Sequence, residues 1–564
     1  MKKRDELKKK LKSMSEDELV DLFINKENEL NQKNGKLNEK TTELNKKTTE
    51  LNEKMTELNE KTTELNWYKE QLALLNKLRF SSKSEKIISG QLNLFNEVED
   101  VYDMPAIEET PIHRGKKKKT REANYSALPT KTIHHELEDK NCPICGTQMR
   151  ELAPQVIDVL KYQPARYTME RHIVHQYICP ACTDENLEAE IFSAEGAPKR
   201  LIKGSVVSSS VVAGIAFNKY VSGTPLYRQE QELKRKKVEI SRANMSNWLM
   251  KCGKLLQPIY EQMNEDMKEL SHIHMDETTT IVLEDRNERS KSYMWLVVSG
   301  KHEMKQMAIY RYHENREHAF AKEMIGEDYR GSIHCDGYEA YHKFEYAKIL
   351  GCMAHARRYF VEALEISPHH NKAKKLKGEQ LKEYREKNPS YGNIVHVVGL
   401  MKRLFAFEQQ YQEEKLIPEE IEKRRQEEQK PILDELFECL KKYQNEYSAK
   451  SKMGSAITYA LNQKQYLENY LRDGEAEISN NRGERLIKPF VMGRKAWLFS
   501  NTKSGAEMSA IYYSLIESAK LNHLDIQDYL EYVLNQIAEH GEDIDYRVLT
   551  PYAKELPITI KVKN

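Results

Sequence analysis

Long apolar runs are missing from this chain of 564 residues. No stretch approaches the roughly 20 consecutive apolar residues of a membrane-spanning helix, so we expect no membrane partner. The first ten residues, MKKRDELKKK, lack the apolar segment of a secretory signal. The chain therefore reads as a cytoplasmic protein. Its length suggests three or four domains at ~150 residues each.

A strong excess of one charge is also missing, because the net charge is only +1. The charge is uneven, however, and basic clusters occur at residues 8–10, 114–121 and 234–237. Local clusters of this kind can contact phosphates even when the chain as a whole is not basic. The alternative for each cluster is a solvated linker or helix face.

Cysteine is scarce, with eight residues in the whole chain, and half of them form two CPxC pairs. The pairs flank a β-rich stretch at 156–177, and tetrahedral Zn²⁺ prefers four thiolates placed in this way. We predict one structural zinc ion, since a closed shell of four thiolates leaves no open position for catalysis. Its ligands are Cys142, Cys145, Cys179 and Cys182.

Residues 20–80 read as one long helix in which leucine recurs every seventh residue. These leucines occupy the d positions of a heptad repeat, and Thr41, Thr48, Met55 and Thr62 occupy weaker a positions. We predict a parallel coiled coil that joins two or more copies of the chain. The alternative is a repetitive solvated helix that pairs poorly. The leucines are Leu30, Leu37, Leu44, Leu51, Leu58, Leu65 and Leu72.

Three helices are expected between residues 205 and 258, at 205–220, 226–236 and 242–250. Ser241 can cap the third, which carries Arg242, Asn244 and Asn247. This arrangement suits a helix-turn-helix whose last helix contacts DNA. The alternative is a helical connector with Trp248 in its core.

Two short apolar strands, at 273–276 and 331–336, each deliver an aspartate at their end, Asp276 and Asp336. A later helix, which we expect to stop before Pro489, carries Glu484 among basic residues. Three such carboxylates can hold two Mg²⁺ ions for an in-line displacement at phosphorus. Spacing alone is weak support, because the chain contains 88 acidic residues.

A series of motifs, in order along almost the whole chain, resembles the transposases of the insertion sequence 66 family. The motifs are KSEK (83–86), QLNLF (91–95), the CPxCG…CPxC zinc segment, HMDET (274–278), CDGY (335–338), GCMAHARR (351–358), NNRGER (480–485) and GRKAWLF (493–499).

The resemblance implies a DDE transposase that binds the ends of its own mobile element and catalyses Mg²⁺-dependent DNA strand cleavage and strand transfer. Asp276, Asp336 and Glu484 fall on the family's acidic triad, with two Mg²⁺ or Mn²⁺ ions. Expected partners are double-stranded DNA (the terminal inverted repeats and the target), further copies of the chain, and small accessory proteins of the element, in the bacterial nucleoid. Candidate DNA contacts are Arg242, Asn244, Asn247, His355, Arg357, Arg358, Arg482, Arg485, Lys488, Arg494 and Lys495.

The fold class expected is multidomain α+β, with an RNase H-like α/β catalytic core that contains a helical insertion. The expected segments are a coiled coil (1–96), a linker (97–135), the zinc ribbon (136–192), the helix-turn-helix-like domain (193–265), the core (266–366 and 452–505), the insertion (367–451) and a C-terminal helical element (506–564).

Two rival functions remain open. His272, His274 and Asp276 form an HxHxD string that faces one side of a strand, as in zinc hydrolases. The second rival is a DNA-binding regulator without catalysis, which would use the same coiled coil, zinc ribbon and helices.

Overall fold

The computed structural model describes residue 11 and residues 14–80, 167–178, 191–193, 198–287 and 291–562. The chain forms two compact units. One comprises Met1–Leu92 and Met353–Gly474, and the other comprises Asn93–Cys352 and Glu475–Asn564. The protein is mixed α+β, mostly helical, with a small mixed sheet. None of the helices in the described ranges is long and apolar enough to cross a membrane.

The α-helices, in chain order, are α1 (Glu16–Phe80), α2 (Ser209–Tyr220), α3 (Leu226–Arg235), α4 (Arg242–Lys268), α5 (His318–Ile325), α6 (Met353–Ile366), α7 (His370–Ala373), α8 (Gly378–Lys387), α9 (Pro389–Glu414), α10 (Pro418–Arg424), α11 (Lys430–Tyr443), α12 (Lys452–Asn462), α13 (Lys464–Glu468), α14 (Asn481–Trp497), α15 (Lys503–Leu521) and α16 (Ile526–His540). The strands are β1 (Gln176–Ile178), β2 (Ile191–Ser193), β3 (His272–Thr280), β4 (Ser292–Ser299), β5 (Ala308–His313), β6 (Ser332–Cys335) and β7 (Lys348–Gly351).

Helix α1 runs for 65 residues, and the heptad leucines lie exposed along it. Leu44 and Leu58, for example, each expose 65% of their surface. The hydroxyls of Thr41 and Thr48 donate to the carbonyls four residues earlier, so these a-position side chains need no outside hydrogen-bond partner. Pairing of the exposed leucines between chains remains a prediction.

The rest of the first unit, Met353–Gly474, is helical, without a strand among its described residues. Arg425 is 2% exposed and forms an ion pair with Glu408. Its guanidinium also donates to the carbonyls of Tyr470 and Asp473. Full pairing of this kind is what a buried charge requires. This helical stretch is longer than the helical insertion expected at 367–451.

The second unit contains a five-stranded sheet in the order β5-β4-β3-β6-β7. Strands β3, β4 and β5 pair antiparallel, whereas β6 and β7 run parallel to β3. The two strands expected at 273–276 and 331–336 both lie in this sheet. The first of them does not end at residue 276, because β3 continues from His272 to Thr280. The unbroken strand carries Asp276 in its interior rather than at its end.

The free edge of β5 is covered by α15. The backbone N–H groups of Ala308 and Tyr310 donate to the hydroxyls of Ser518 and Ser514, at 2.9 and 2.8 Å. Both serines are fully buried. These side chains satisfy an edge that would otherwise expose unpaired backbone groups.

Helices α2, α3 and α4 pack on one another, in the segment expected to resemble a helix-turn-helix. The hydroxyl of Ser241 accepts from the N–H of Asn244, as the cap prediction requires. Helix α4 is longer than expected, because it continues past Met250 to Lys268 with Pro258 inside. Its apolar residues repeat at helical spacing and are buried through Met267, so tertiary packing maintains the helix across the proline.

The prediction that the Glu484 helix stops before Pro489 was wrong, since α14 continues through this proline to Trp497. Ile487, Phe490 and Gly493 are buried on one side of the helix. Continuous packing on both sides of the proline offsets the lost backbone hydrogen bond.

Candidate active site

The two aspartates come from neighbouring strands, Asp276 from within β3 and Asp336 from directly after β6. Strands β3 and β6 are parallel, and His274 is the register partner of His334. Asp276 and Asp336 each follow their histidine by two residues. Neighbouring strands lie roughly 4.8 Å apart, so the same step along each strand brings the aspartates together. Both side chains are half-buried.

Glu484 approaches Asp276 from α14. Asn480 precedes this helix, and its backbone carbonyl accepts from the N–H of Glu484 at 3.1 Å. Gly483 lies between them because a Cβ there would come within 2.9 Å of the Asn480 side chain. The carboxylate of Glu484 is close enough to influence the ionisation of Asp276.

Asn480 connects the helix to the strand. It is 1% exposed, and its Nδ2 donates to the carbonyl of Met275 at 2.9 Å. Its Oδ1 lies 2.9 Å from Nδ1 of His274, and its backbone N–H points at Sγ of Cys352, at 3.2 Å. One buried side chain therefore fixes Glu484's helix against the residue before Asp276.

His274 is fully buried and both of its ring nitrogens are engaged. Nδ1 faces Asn480, and Nε2 lies 2.7 Å from the carboxylate of Glu477. The ring stacks on His334 with 4.3 Å between centroids. The charge and hydrogen bond of His274 lower the pKa of Glu477 to about 2, against the opposing effect of burial. A histidine held in this way has no nitrogen left for a metal, which argues against a zinc hydrolase built on the HxHxD string.

The carboxylates repel one another in the metal-free protein. Burial raises the pKa of Asp276 well above its ordinary value. Three neighbouring negative charges raise it further, those of Glu277, Asp336 and Glu484. Carboxylates whose charges repel one another suit a hard divalent cation, which would relieve the repulsion.

Glu277 is close to this cluster but already has partners. It points to the other face of β3, is 3% exposed, and accepts from the Tyr341 hydroxyl. Nε and Nη2 of Arg316 both contact its Oε1. Burial raises the pKa of Glu277, and the two partners act in the opposite direction. The candidate donor set for a cation is therefore Asp276, Asp336 and Glu484.

Arg316 also faces the site itself. Its Nη2 is 3.9 Å from Asp336, and its guanidinium lies 3.7 Å from the centre of the Tyr338 ring. The hydroxyl of Tyr338 donates to the Arg316 carbonyl at 2.7 Å. The guanidinium is thus held by both a carboxylate and an aromatic ring, while 34% of the side chain remains exposed.

Arg482, one of the expected DNA contacts on α14, forms hydrogen bonds within the protein. Its Nε donates to the carbonyl of Ser299 at 2.7 Å, and Nη2 bonds to the side chain of Gln306. Because these bonds fasten α14 to the end of β4, we withdraw Arg482 as a DNA contact. Arg494 is half-buried and donates to the hydroxyl of Thr279 at 3.1 Å, so its charge is partly used within the protein.

The remaining basic residues of α14 share its outer face. Arg485 and Lys495 are exposed, and Lys488 is half-buried between them. Their spacing of three and seven residues places them along one side of the helix, starting beside Glu484. A row of cations next to the carboxylates can follow a phosphate backbone.

The other expected DNA contacts lie on other helices. Arg242, Asn244 and Asn247 are exposed at the start of α4, where a helix-turn-helix would present them. The remaining three are half-buried on α6, in the unit that does not contain the carboxylates: His355, Arg357 and Arg358. The four cysteines predicted to bind zinc lie outside the described residues, and their role stays a prediction. The short β1–β2 pair lies in the same segment.

Sequence reasoning missed three residues that shape the site. Arg316 lies in a loop without a recognisable motif, so only the folded chain reveals it. Glu477 lies just before the NNRGER motif, and its pairing with His274 spans 203 positions of the chain. Asn480 was visible within NNRGER, but nothing in the spacing indicated that it bonds the backbone of β3.

A five-stranded mixed sheet with clustered carboxylates, preceded by a three-helix segment, defines a candidate cation-dependent enzyme. Residues 204–508 match the model of the transposase IS66 family, and residues 514–552 match the IS66 C-terminal element. Residues 139–183 match the zinc-finger binding domain of transposase IS66. Residues 67–133 match a segment described as the transposase C of IS166 homeodomain. The chain belongs to the IS66 family of transposases, which implies a DNA-processing enzyme with DNA-binding and zinc-finger domains.

Three similar proteins come from Sinorhizobium fredii, and each is described as uncharacterized. Protein y4qI is 30% identical over 63% of this chain and 64% of its own length. Protein y4jD is 25% identical over 77% of this chain and 82% of its own length. Protein y4hP is 25% identical, with 72% of each chain covered. The chain thus spans slightly less than two thirds of the first relative. No solved structure matches.

Proposed function

We propose that the protein is a DDE transposase that cuts the ends of its insertion sequence and joins them to target DNA. One observation carries the proposal: the parallel register of β3 and β6 sets Asp336 beside Asp276, and Glu484 approaches Asp276 closely enough to raise its pKa. The sheet order β5-β4-β3-β6-β7, three antiparallel strands followed by two parallel ones, supports an RNase H-like core.

Asp276, Asp336 and Glu484 would hold two Mg²⁺ or Mn²⁺ ions. When bound, such ions activate an attacking water or 3′-hydroxyl and stabilise the departing oxygen. Asp276 and Asp336 provide oxygens from rigid backbone, which favours precise placement. Asn480 holds the third carboxylate against the first.

The basic face of α14 would hold the DNA strand beside the carboxylates. Arg485 and Lys495 lie exposed along this face, and Lys488 lies between them. Arg316 would keep Glu277 out of the cation site by occupying its carboxylate. Its exposed fraction leaves room for a phosphate oxygen near Asp336.

Other parts of the chain would bind and align the element ends. We propose that the exposed start of α4, with Arg242, Asn244 and Asn247, contacts the terminal repeats. Cys142, Cys145, Cys179 and Cys182 would hold one structural zinc ion. Helix α1 would pair with a second copy and so bring two ends together, with the element's accessory proteins as further partners.

The test is strand cleavage on the inverted repeats that flank the gene. Purified full-length protein is incubated with a duplex of one repeat and Mg²⁺, and nicked and joined products are separated on a denaturing gel. Wild-type protein should cut at the repeat end, and Glu484→Gln should lose at least 10³-fold of this rate while its binding stays within about threefold. Binding without cleavage by the wild type would instead indicate a regulator.

A further inference from the structure

An exposed apolar turn follows the active-site helix. Helix α14 ends at Trp497, and the side chains of Leu498 and Phe499 then lie 63% and 42% exposed. We call these two residues the apolar knuckle. Exposed single apolar residues are common on protein surfaces, so exposure alone assigns no role. The role of the knuckle is inferred instead from its backbone conformation, from the charge on the adjoining helix face and from its position relative to the carboxylates.

The backbone of the knuckle is strained. Leu498 has a φ of 71° and a ψ of −45°, a left-handed conformation that favours glycine. The N–H of Phe499 bonds the carbonyl of Trp497 at 2.9 Å, which closes a three-residue γ-turn of the rarer, strained hand. A branched apolar side chain at such a position, facing solvent, gains little from burial. Retained strain of this type is typical of functional sites.

The helix face that leads to the knuckle is basic. The outer face of α14 runs from Arg485 through Lys488 and Lys495 to the knuckle, with Met492 exposed at 54% within it. Phosphate-contacting cations beside an apolar or aromatic tip are the arrangement that proteins use to hold a strand and unstack its bases. A protein partner would be expected to cover a broader apolar surface than two side chains.

The position of the knuckle relative to the carboxylates is fixed by β3 on one side and by α14 on the other. The N–H of Ser500 donates to the carbonyl of Ile281 at 2.9 Å, so the knuckle is tied to the chain just after β3. Asp276 lies five residues earlier, about 17 Å along a strand at ~3.3 Å per residue. Glu484 lies fourteen residues earlier, about 21 Å along a helix at ~1.5 Å per residue. At ~3.4 Å per base, both paths correspond to about five or six bases.

We propose that the apolar knuckle inserts against a nucleobase of the bound DNA, about five or six positions from the phosphate that is cut, and unstacks it. This inference rests on the proposed function, because it places the DNA strand on α14. It assigns Leu498 and Phe499 a contact with bases rather than with phosphates. It also explains why a strained leucine stands where glycine would be easier.

The test uses duplexes of the terminal repeat with the fluorescent base 2-aminopurine at successive positions, bound to full-length protein in the Glu484→Gln background so that the DNA stays uncut. Stacked 2-aminopurine is quenched. We expect fluorescence to rise severalfold at one or two positions, about five or six bases from the cut. Leu498→Gly with Phe499→Ala should abolish the rise, and Met304→Ala, which removes an 88% exposed methionine from another turn of the same unit, should leave it intact.

Cleavage by the otherwise wild-type protein provides the second readout. The double variant should cleave an intact duplex about tenfold more slowly, in line with the loss of one stacked base. An abasic site at the fluorescent position should restore the rate, because no base then needs unstacking. Leu498→Gly alone should raise the thermal midpoint by a few degrees, since glycine relieves the strain.

The proposal would be overturned if 2-aminopurine stays quenched at every position on protein that keeps Leu498 and Phe499. This holds even if the Glu484→Gln protein binds the duplex and the wild type cleaves it. A double variant that loses cleavage equally on intact and abasic duplexes would also overturn the proposal. Failure of the wild type to cleave any repeat duplex would count against the proposed function instead, and the fluorescence would still report on the knuckle.

Discussion

Replacing Asn480 by alanine should separate the positioning of the third carboxylate from the stability of the fold. The side chain makes two buried hydrogen bonds, to the Met275 carbonyl and to His274. Each is worth about 1 kcal/mol net, and each leaves a buried partner unsatisfied at a further cost of about 1 kcal/mol. We therefore expect the free energy of unfolding to fall by roughly 2–4 kcal/mol.

The effect on DNA cleavage should be larger than this destabilisation explains. Without Asn480 the start of α14 is no longer fixed to β3, and a shift of about 1 Å at a catalytic group costs on the order of 10²-fold in rate. Cleavage of the repeat duplex would be measured at a temperature where the variant is fully folded. Binding of the duplex should stay within about threefold, since the basic face of α14 is unchanged.

Asn522→Ala is the matched control. Asn522 also makes two side-chain hydrogen bonds in the second unit, to the carbonyls of Gln306 and Ser518, at 2.7 and 2.8 Å. It contacts neither β3 nor α14 through these bonds. This variant should lose comparable stability and keep its cleavage rate. Equal losses of cleavage in both variants, or full cleavage by Asn480→Ala, would refute the positioning role.

The remaining predictions concern other named contacts. Arg316→Ala should lower the free energy of unfolding by about 1–3 kcal/mol, because Glu277 is left buried with only Tyr341, whereas Arg316→Lys should recover part of it; urea unfolding measures both. The pKa of Glu477 is lowered from 4.5 to about 2 in the folded protein, so its stabilising effect is complete above pH 4.5 and is lost as the pH falls towards 2. Wild-type protein should therefore lose up to about 3 kcal/mol more than Glu477→Gln across that interval, and equal acid profiles would contradict the pairing with His274. Leu51→Asn with Leu58→Asn should lower the oligomer mass in sedimentation if α1 pairs through its exposed leucines, and an unchanged mass would exclude the coiled coil.

The sequence was informative where local pattern and chemistry coincide. The strand before Asp336 and the Ser241 cap could be predicted from short segments, because side-chain alternation and capping are local rules. The end predicted for the first strand at Asp276 was wrong, since β3 continues to Thr280. Asp276, Asp336 and Glu484 could be selected only through the family resemblance, since spacing cannot choose three carboxylates among 88.

The rest depended on long-range packing. The continuation of α14 through Pro489 and of α4 through Pro258 contradicts local propensity, because buried faces on both sides of each proline keep the helix intact. The contacts of Asn480, Glu477 and Arg316 join residues that are distant in the chain, so no local pattern encodes them. The strained turn at Leu498 was likewise invisible, since leucine gives no signal of a positive φ.

The central claim is that Asp276, Asp336 and Glu484 form one cation site. Binding of Mn²⁺ to the full-length protein, followed by electron paramagnetic resonance, tests this without DNA. We expect Asp276→Asn, Asp336→Asn and Glu484→Gln each to weaken binding at least tenfold. Asp285→Asn, which alters an acidic residue bonded to Ser292 and Tyr312 in the same unit, should leave it unchanged. Undiminished Mn²⁺ binding by Glu484→Gln, or an equal loss in Asp285→Asn, would contradict the account.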